Sequence, residues 1–258
     1  MLTNLENRLI SVVINTYNAE QHLERVLQSV QGFDEVVVCD MESTDATVAI
    51  AQAHGCRVVT FPRGDHRIVE PARQFAIEQA THEWVLVVDA DELVSDDLRR
   101  CLYEHTRRPD APAGLFIPRK NYFMGRFMHC HYPDYLLRFF RRNAVTWAPY
   151  VHAIPVVAGN TERLPAQRRE LSFEHLACDG VADILRKTNQ YTDSELEKKR
   201  DKRYGLMAFL WRPFFRWFKA YILKGGIRDG LPGFIRACLE GHYQFIMLAK
   251  MAEQRMKR

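Results

Sequence analysis

The sequence predicts an α/β protein with a mostly parallel sheet covered by helices, followed by a helical C-terminal segment. Over about the first 110 residues, short apolar runs alternate with segments of helical period, which is typical of repeated strand–helix units. Further short apolar runs follow with loops and no obvious helices between them, and they predict an antiparallel extension of the sheet. From Val181 onward the pattern is helical, so we expect a boundary near residue 180.

Apolar runs and helical spacing locate the individual elements. The first four predicted strands, in chain order, are Leu9–Ile14, Val36–Cys39, Arg57–Phe61 and Trp84–Val88. The helices predicted between them are Ala19–Gln31, Thr44–His54 and Pro71–Ala80, and Gly55 and Pro71 supply a stop and a start signal. The strands predicted for the antiparallel extension are Leu115–Pro118, Tyr135–Phe140 and Val151–Val157.

Cysteine usage and hydropathy indicate a cytoplasmic protein. The six cysteines are scattered and include no CxxC pair, which favours a reducing compartment and argues against a structural zinc module. Residues 1–8 are polar and do not predict a signal peptide. The chain contains no run of eighteen apolar residues, so the sequence predicts no membrane-spanning helix.

Polar residues follow three of the predicted strands, at the edge where open parallel sheets bind their ligands. Asn15–Asn18 follows the first strand, Asp40 the second and Asp89–Glu92 the fourth. The chain has no GxGxxG after its first strand and no GxxxxGK[ST], so a glycine loop that cradles phosphate is disfavoured. A divalent cation held by carboxylates is the other way to bind a diphosphate.

The Asp89-Ala90-Asp91 tripeptide is the leading candidate for that cation site. In an extended segment, residues two apart project to the same side, so one carboxylate can bind a metal while the other accepts a hydrogen bond from a ribose. The tripeptide alone is a weak signal because acidic turns are common. Its position directly after a strongly apolar strand makes it a stronger one.

Three segments in order carry a resemblance to a known family: Ser11–Asn18, Val36–Asp45 and Glu83–Glu92. They resemble the successive signatures of family 2 glycosyltransferases, and Tyr132–Arg141 resembles a segment of the lipopolysaccharide-core glucosyltransferase branch. The likeness covers about residues 9–155. It implies a GT-A fold, a Rossmann-like mixed sheet, with a C-terminal helical extension. It also implies inverting transfer from a UDP-sugar, with UDP-glucose as the first candidate.

The resemblance implies a role for each matching donor-side residue. Thr16 and Tyr17 would line the nucleobase pocket, and Asp40 would hydrogen-bond the base. Asp89 would contact the ribose, and Asp91 would bind Mg²⁺ or Mn²⁺. On this basis residues 1–180 are expected to form the catalytic domain, with a nucleotide-sugar half of about 1–110 and an acceptor half of about 111–180.

For the remaining candidate site residues, the sequence leaves more than one role open. Arg73, on the third predicted helix, faces the diphosphate or is an exposed helix arginine. Arg138 and His152 are expected on the acceptor side, where His152 completes the metal site, contacts the acceptor or is simply packed.

The catalytic base has two candidates. Inverting transfer needs a carboxylate that deprotonates the acceptor hydroxyl. Relatives in this branch often have glutamate where this chain has Ala153, which removes one candidate and leaves Asp134 and Glu92. Asp134 is preferred because it lies in the acceptor half, although a turn residue after proline is the alternative. Glu92 can instead orient the metal site or pair with an arginine.

The helical segment 181–258 is basic and aromatic. Residues 197–228 contain ten Lys or Arg and two acidic residues, a net charge of +8. Tryptophan, phenylalanine and leucine alternate with the cations, which fits helices lying on an anionic membrane better than nucleic-acid binding. Packing on the catalytic domain or on a second subunit is the alternative. Pro213 and four glycines predict short helices rather than one span.

The leading hypothesis is therefore an inverting glycosyltransferase at the inner face of the cytoplasmic membrane. Its acceptor would be a membrane glycolipid such as a lipopolysaccharide core. One alternative is a metal-dependent phosphohydrolase or phosphotransferase that uses Asp89 and Asp91. A second alternative is a non-catalytic membrane-binding scaffold.

Overall fold

The structure is a computed structural model that describes residues 8–64, 66, 69–149, 154–176, 180–198 and 203–256. Its contacts divide the chain into two compact units. The first comprises Met1–Arg119 and Pro133–Leu176, and the second comprises Lys120–Tyr132 and Ala177–Arg258. The grouping of Lys120–Tyr132 with the C-terminal helices has no counterpart in the sequence analysis.

The described elements are numbered in chain order. The first part of the chain contains β1 Ile10–Thr16, α1 Glu20–Ser29, β2 Glu35–Asp40, α2 Thr47–Ala53, β3 Arg57–Thr60, α3 Glu70–Glu78, β4 Trp84–Asp89, β5 Glu92–Leu93 and α4 Asp96–Arg107. Short and long strands follow: β6 Gly114–Lys120, β7 Tyr122–Phe123, β8 Arg126–Phe127, β9 Asp134–Arg141, β10 Val145–Thr146, β11 Val156–Val157, β12 Thr161–Arg163 and β13 Phe173–His175. The last helices are α5 Val181–Lys198, α6 Leu206–Phe218 and α7 Gly230–Met256.

The main sheet of the first unit is parallel on one side and antiparallel on the other. Among the described residues it has nine strands in the order β3-β2-β1-β4-β9-β6-β13-β5, with β12 beside β6. β3, β2, β1 and β4 are parallel neighbours, which confirms the predicted α/β core. Every residue of β1 is buried, as expected of a strand covered on both faces. The ends of β1 and β4 therefore meet at one edge of the sheet.

β9 extends the parallel core by pairing antiparallel with β4 on one side and with β6 on the other. Its Phe139 stacks on Trp84 of β4, with ring centroids 5.0 Å apart. This insertion confirms the predicted antiparallel extension. The predicted strand at Val151–Val157 is described only from residue 154, and within it β11 is present.

Helix α4 is the helix of the first unit that the sequence analysis did not predict. Ser95 caps its N-terminus by accepting a hydrogen bond from the backbone of Leu98, and two aspartates occupy the first turn. Leu98 and Leu102, four residues apart, are fully buried. The remaining residues of this helix are mostly polar, so its apolar stripe is narrow and the helical spacing of its apolar residues is hard to recognise in the sequence.

The second unit is built around α6 and α7, with α5 and the β7–β8 hairpin. α6 continues through Pro213, and α7 runs for 27 residues, so the prediction of short helices is wrong for α7. Two of the expected breakers, Gly230 and Gly233, lie in the first turn of α7, where a glycine interrupts little. Gly241 faces α6: a Cβ there would lie 3.1 Å from the Pro213 carbonyl oxygen. No described helix combines the length and the apolar character needed to cross a bilayer.

Candidate active site

A cavity of about 390 Å³ opens in the first unit at the ends of β1 and β4. Polar side chains from separate parts of the chain line it: Asn15, Tyr17, Arg73, Asp89, Asp91 and His175. The parallel pairing of β1 with β4 places Asn15 opposite Asp89. Four residues singled out from the sequence, namely Tyr17, Arg73, Asp89 and Asp91, therefore come together around one space.

Asp89 is clamped by two buried arginines. Arg73 donates to its Oδ1 at 2.8 Å and Arg138 donates to its Oδ2 at 2.7 Å. Both guanidinium groups lie over the Trp147 ring, at 4.9 and 5.1 Å from its centroid. Burial alone raises the pKa of Asp89, but the charges of Arg138 and Arg73 outweigh it and hold the pKa well below its ordinary value. Asp89 is therefore an ionised, rigidly oriented acceptor.

Arg138, which was expected on the acceptor side, contacts Asp89 directly. The reason is the insertion of β9 beside β4, which brings a residue 49 positions away in sequence against the end of β4. The assignment of Arg138 to the acceptor side stays a prediction.

Several buried polar atoms around the cavity have no hydrogen-bond partner among the described residues. They are Oδ1 and Nδ2 of Asn15, Nε and Nη1 of Arg73, Nη1 of Arg138 and Nε1 of Trp147. Buried polar groups are normally paired. Because Asn15 and Arg73 line the cavity, their orphaned donors and acceptor are suited to a polar, anionic ligand that enters it.

Asp91 occupies a turn rather than an extended strand, since β4 ends at Asp89 and residues 90–91 turn into β5. The antiparallel pairing of β5 with β13 aligns His175 with Glu92 and brings the His175 imidazole to the turn. Its Nε2 lies 3.2 Å from Oδ2 of Asp91. Among the described residues, no lysine or arginine lies within ion-pair distance of Asp91. His175 lines the cavity but was not singled out from the sequence.

The two candidate bases are joined through Arg119. Arg119 donates to Oε1 of Glu92 at 3.0 Å and to Oδ2 of Asp134 at 3.0 and 2.7 Å. The Glu92 side chain is fully buried and also accepts from the backbone N–H of Asp89. Burial and the neighbouring Asp89 raise the pKa of Glu92. The Asp134 side chain is 35% exposed, so of the two only Asp134 reaches the surface.

Thr16 and Asp40 are not among the residues that line the cavity. Both are buried, and Thr16 donates its hydroxyl to Asp40 at 2.8 Å. The Asp40 carboxylate also accepts from the backbone and hydroxyl of Ser43, at 2.8 and 2.6 Å. The structure therefore uses this pair to hold the loop after β2. His152 lies outside the described residues.

Comparison with known proteins identifies the family. The profile of Glycosyl transferase family 2 matches residues 11–160, more than half of the chain. The chain belongs to glycosyl transferase family 2. The matched range of this family 2 glycosyltransferase begins in β1 and includes the Asp89 clamp and the turn at Asp91. It ends before His175.

Relatives of this glycosyltransferase match over nearly their whole length. It is 27% identical to the lipopolysaccharide core biosynthesis glycosyltransferase LpsC of Rhizobium meliloti (strain 1021), covering 95% of this chain and 92% of LpsC. It is 38% identical to the uncharacterized glycosyltransferase RP128 of Rickettsia prowazekii (strain Madrid E), covering 96% and 88%.

The fold is shared with a solved glycosyltransferase. The mannosyltransferase PcManGT from Pyrobaculum calidifontis, solved with GDP-Man and Mn²⁺, superposes with a TM-score of 0.55 at 15% identity, covering 94% of this chain and 86% of that one. This similarity confirms the expected GT-A fold with its C-terminal helices.

Proposed function

We propose that this glycosyltransferase binds a UDP-sugar with a divalent cation in the Asp91 cavity and transfers the sugar, with inversion, to a membrane glycolipid. The observation that carries the proposal is the cavity itself. It joins a carboxylate–imidazole pair at Asp91 and His175 to an arginine-clamped carboxylate at Asp89 and to orphaned donors on Asn15 and Arg73. Family membership favours this activity over a phosphohydrolase or a scaffold.

The residues at the turn fit a divalent cation. Asp91 and His175 offer a carboxylate oxygen and an imidazole nitrogen, and no arginine or lysine of the described chain competes for Asp91 within ion-pair distance. No group of three or more His, Cys, Asp or Glu side chains among the described residues could complete a site alone. Mg²⁺ and Mn²⁺ are commonly held by one or two protein ligands together with substrate phosphates. A cation bound there supplies Lewis-acid neutralisation of charge on the departing diphosphate.

The donor contacts follow from the cavity wall. Asp89 keeps lone pairs free beyond the two arginine contacts, and we assign it to a ribose hydroxyl. Arg73 and Asn15 present their unpaired groups to the diphosphate side. The Tyr17 ring, which the Arg63 guanidinium covers at 3.7 Å, borders the base. Asp40 acts through Thr16 and Ser43 to hold the loop beside it.

Asp134 is the proposed base. Arg119 fixes one of its carboxylate oxygens, and the partial exposure of the side chain leaves it accessible to an acceptor hydroxyl. Glu92 is fully enclosed, so we assign it to positioning Arg119 and the backbone of Asp89. Deprotonation by Asp134 during attack on the anomeric carbon is the general-base step of inverting transfer.

The acceptor and the location are inferred from the LpsC similarity and from the second unit. LpsC carries a lipopolysaccharide core biosynthesis name, and on that basis we propose a glycolipid of that class. Large apolar side chains are exposed along α6 and the start of α7, including Leu206, Leu210, Trp211 and Leu231. We propose that these helices attach to an anionic membrane surface.

The test is a UDP-release assay with UDP-glucose, Mn²⁺ and a core lipopolysaccharide acceptor. The proposal predicts acceptor-dependent UDP release, and Asp134→Asn reduces kcat by about 10²–10⁴-fold with UDP affinity unchanged. The conservative variant Asp134→Glu keeps a carboxylate at this position and is expected to recover part of the rate. Phosphate release without acceptor contradicts the transferase activity, and full activity of Asp134→Asn contradicts the base assignment alone.

A further inference from the structure

The second unit contains a larger cavity that the glycosyltransferase chemistry does not use. It measures about 690 Å³ and is lined by α6, by the turn that continues it, by α7 and by Cys130 and His131. Four lysine and arginine side chains line it: Arg212, Arg216, Lys219 and Lys224. Among the described residues of the lining, Glu240 is the one acidic side chain, so four positive charges against one negative leave +3.

The protein neutralises little of this charge. Glu240 is already matched, because it pairs with Arg216 at 2.9 Å and with Arg236 at 3.2 Å. Burial raises the pKa of Glu240, but these two arginines outweigh it and keep the carboxylate ionised. Within the described part of the chain, no carboxylate lies within ion-pair distance of the ammonium groups of Lys219 or Lys224. The cavity is therefore suited to an anion.

The surroundings of the cavity identify the kind of anion. Trp211 and Phe215 line it and are 60% and 45% exposed. Met207, Leu210 and Phe214 are exposed on the same helix, and positions 207, 210, 211 and 214 follow the three- and four-residue spacing of one helix face. A positive cavity that opens beside an exposed aliphatic and aromatic stripe is complementary to an amphiphile with a phosphate group. Exposed Met and Leu offer nothing to the bases of a nucleic acid, which stack on aromatic rings.

We propose that this cavity binds the phosphate group of one anionic lipid, whose acyl chains lie along the exposed face of α6. The proposal deepens the membrane attachment proposed above and rests on it. Lys219 and Lys224 contact the phosphate, and Trp211 and Phe215 border the glycerol and the first acyl carbons. The enzyme is thereby seated on phosphorylated lipid by a defined site rather than by general surface charge.

The experiment uses the full-length protein and dihexanoyl phosphatidic acid below its micellar concentration, titrated by calorimetry. One equivalent is expected to bind. Lys219→Ala/Lys224→Ala weakens binding at least about tenfold. Arg203→Ala/Arg228→Ala removes the same charge from exposed positions outside the cavity and changes affinity less than about twofold. Lys219→Arg/Lys224→Arg keeps the charge and retains binding, which controls for folding.

Further arms separate the alternatives. Inorganic phosphate that binds as tightly as the lipid overturns the lipid assignment, and so does a single-stranded RNA that displaces the lipid at equal concentration. If the two double-alanine variants lose lipid affinity equally, general surface charge accounts for binding, and the proposed lipid site is overturned. UDP binding to the wild-type protein is measured in parallel. Intact UDP binding without lipid binding contradicts this inference and leaves the donor-site proposal standing.

Discussion

The contact between Arg138 and Asp89 holds the Asp89 carboxylate in place, and Arg138→Met tests how much this contact stabilises the first unit. The two groups lie 2.7 Å apart, with side chains 8% and 23% exposed. Breaking a buried ion pair from one side costs about 3–5 kcal/mol. Because Arg73 still neutralises Asp89, we expect a smaller loss of about 2–3 kcal/mol, including the lost contact with Trp147.

Urea denaturation followed by circular dichroism measures this loss. Arg108→Met is the control, because the Arg108–Glu162 pair is exposed on both sides and an exposed ion pair contributes little to stability. In a double-mutant cycle with Asp89→Asn, the combined variant loses less than the sum of the single losses, by more than about 1 kcal/mol. If Arg138→Met loses no more unfolding free energy than the control, or if the losses of Arg138→Met and Asp89→Asn are additive, Arg138 does not stabilise the protein through Asp89.

Three further predictions address other parts of the molecule. The Glu35 carboxylate accepts hydrogen bonds from Ser11 and Thr81 and pairs with Arg57. Burial raises the pKa of Glu35, but these contacts outweigh burial and lower the pKa from 4.5 to about 2. The stabilisation from Glu35 is therefore full above pH 4.5 and is lost as the pH falls towards 2. Glu35→Gln therefore lowers the free energy of unfolding by about 1–2 kcal/mol at pH 7, and a difference that persists in acid contradicts this. Gly241→Val pushes α6 away from α7 and is expected to lower the free energy of unfolding by about 1–3 kcal/mol, as measured by thermal unfolding. The control Gly205→Val has open space around it and is expected to lower it less. His175→Gln weakens Mn²⁺-dependent UDP binding about 10-fold or more, and calorimetry showing wild-type affinity argues against His175 as a ligand.

The parallel half of the fold was predictable because its signals are local. β1, β2 and β4 each contain a short, nearly continuous apolar run, and a strand buried on both faces needs such a run. The narrow apolar stripe of α4 gave a weaker signal. Its start was nevertheless marked by Ser95 followed by Asp96 and Asp97, a capping pattern that identifies such a helix.

Most of the predictable residues of the site follow those strands. Asp89 and Asp91 sit at the end of β4, so the strand pattern located them. Arg138 and His175 reach the same place through antiparallel pairings that join residues 49 and 84 positions apart. β13 is three residues long, which is too short for the alternation of a strand to be recognised in the sequence. The pairing of strands that are distant along the chain depends on the tertiary structure, so local patterns do not reveal it.

The most direct test of the account is calorimetric titration of the protein with UDP, with and without Mn²⁺, beside Asp91→Asn. The proposed site predicts binding that requires Mn²⁺ in the wild-type protein and is lost in Asp91→Asn, because the carboxylate at the turn is the protein's charged ligand for the cation. Equal UDP affinity without Mn²⁺, or unchanged Mn²⁺-dependent affinity in Asp91→Asn, would contradict the assignment of this cavity as a metal-dependent donor site.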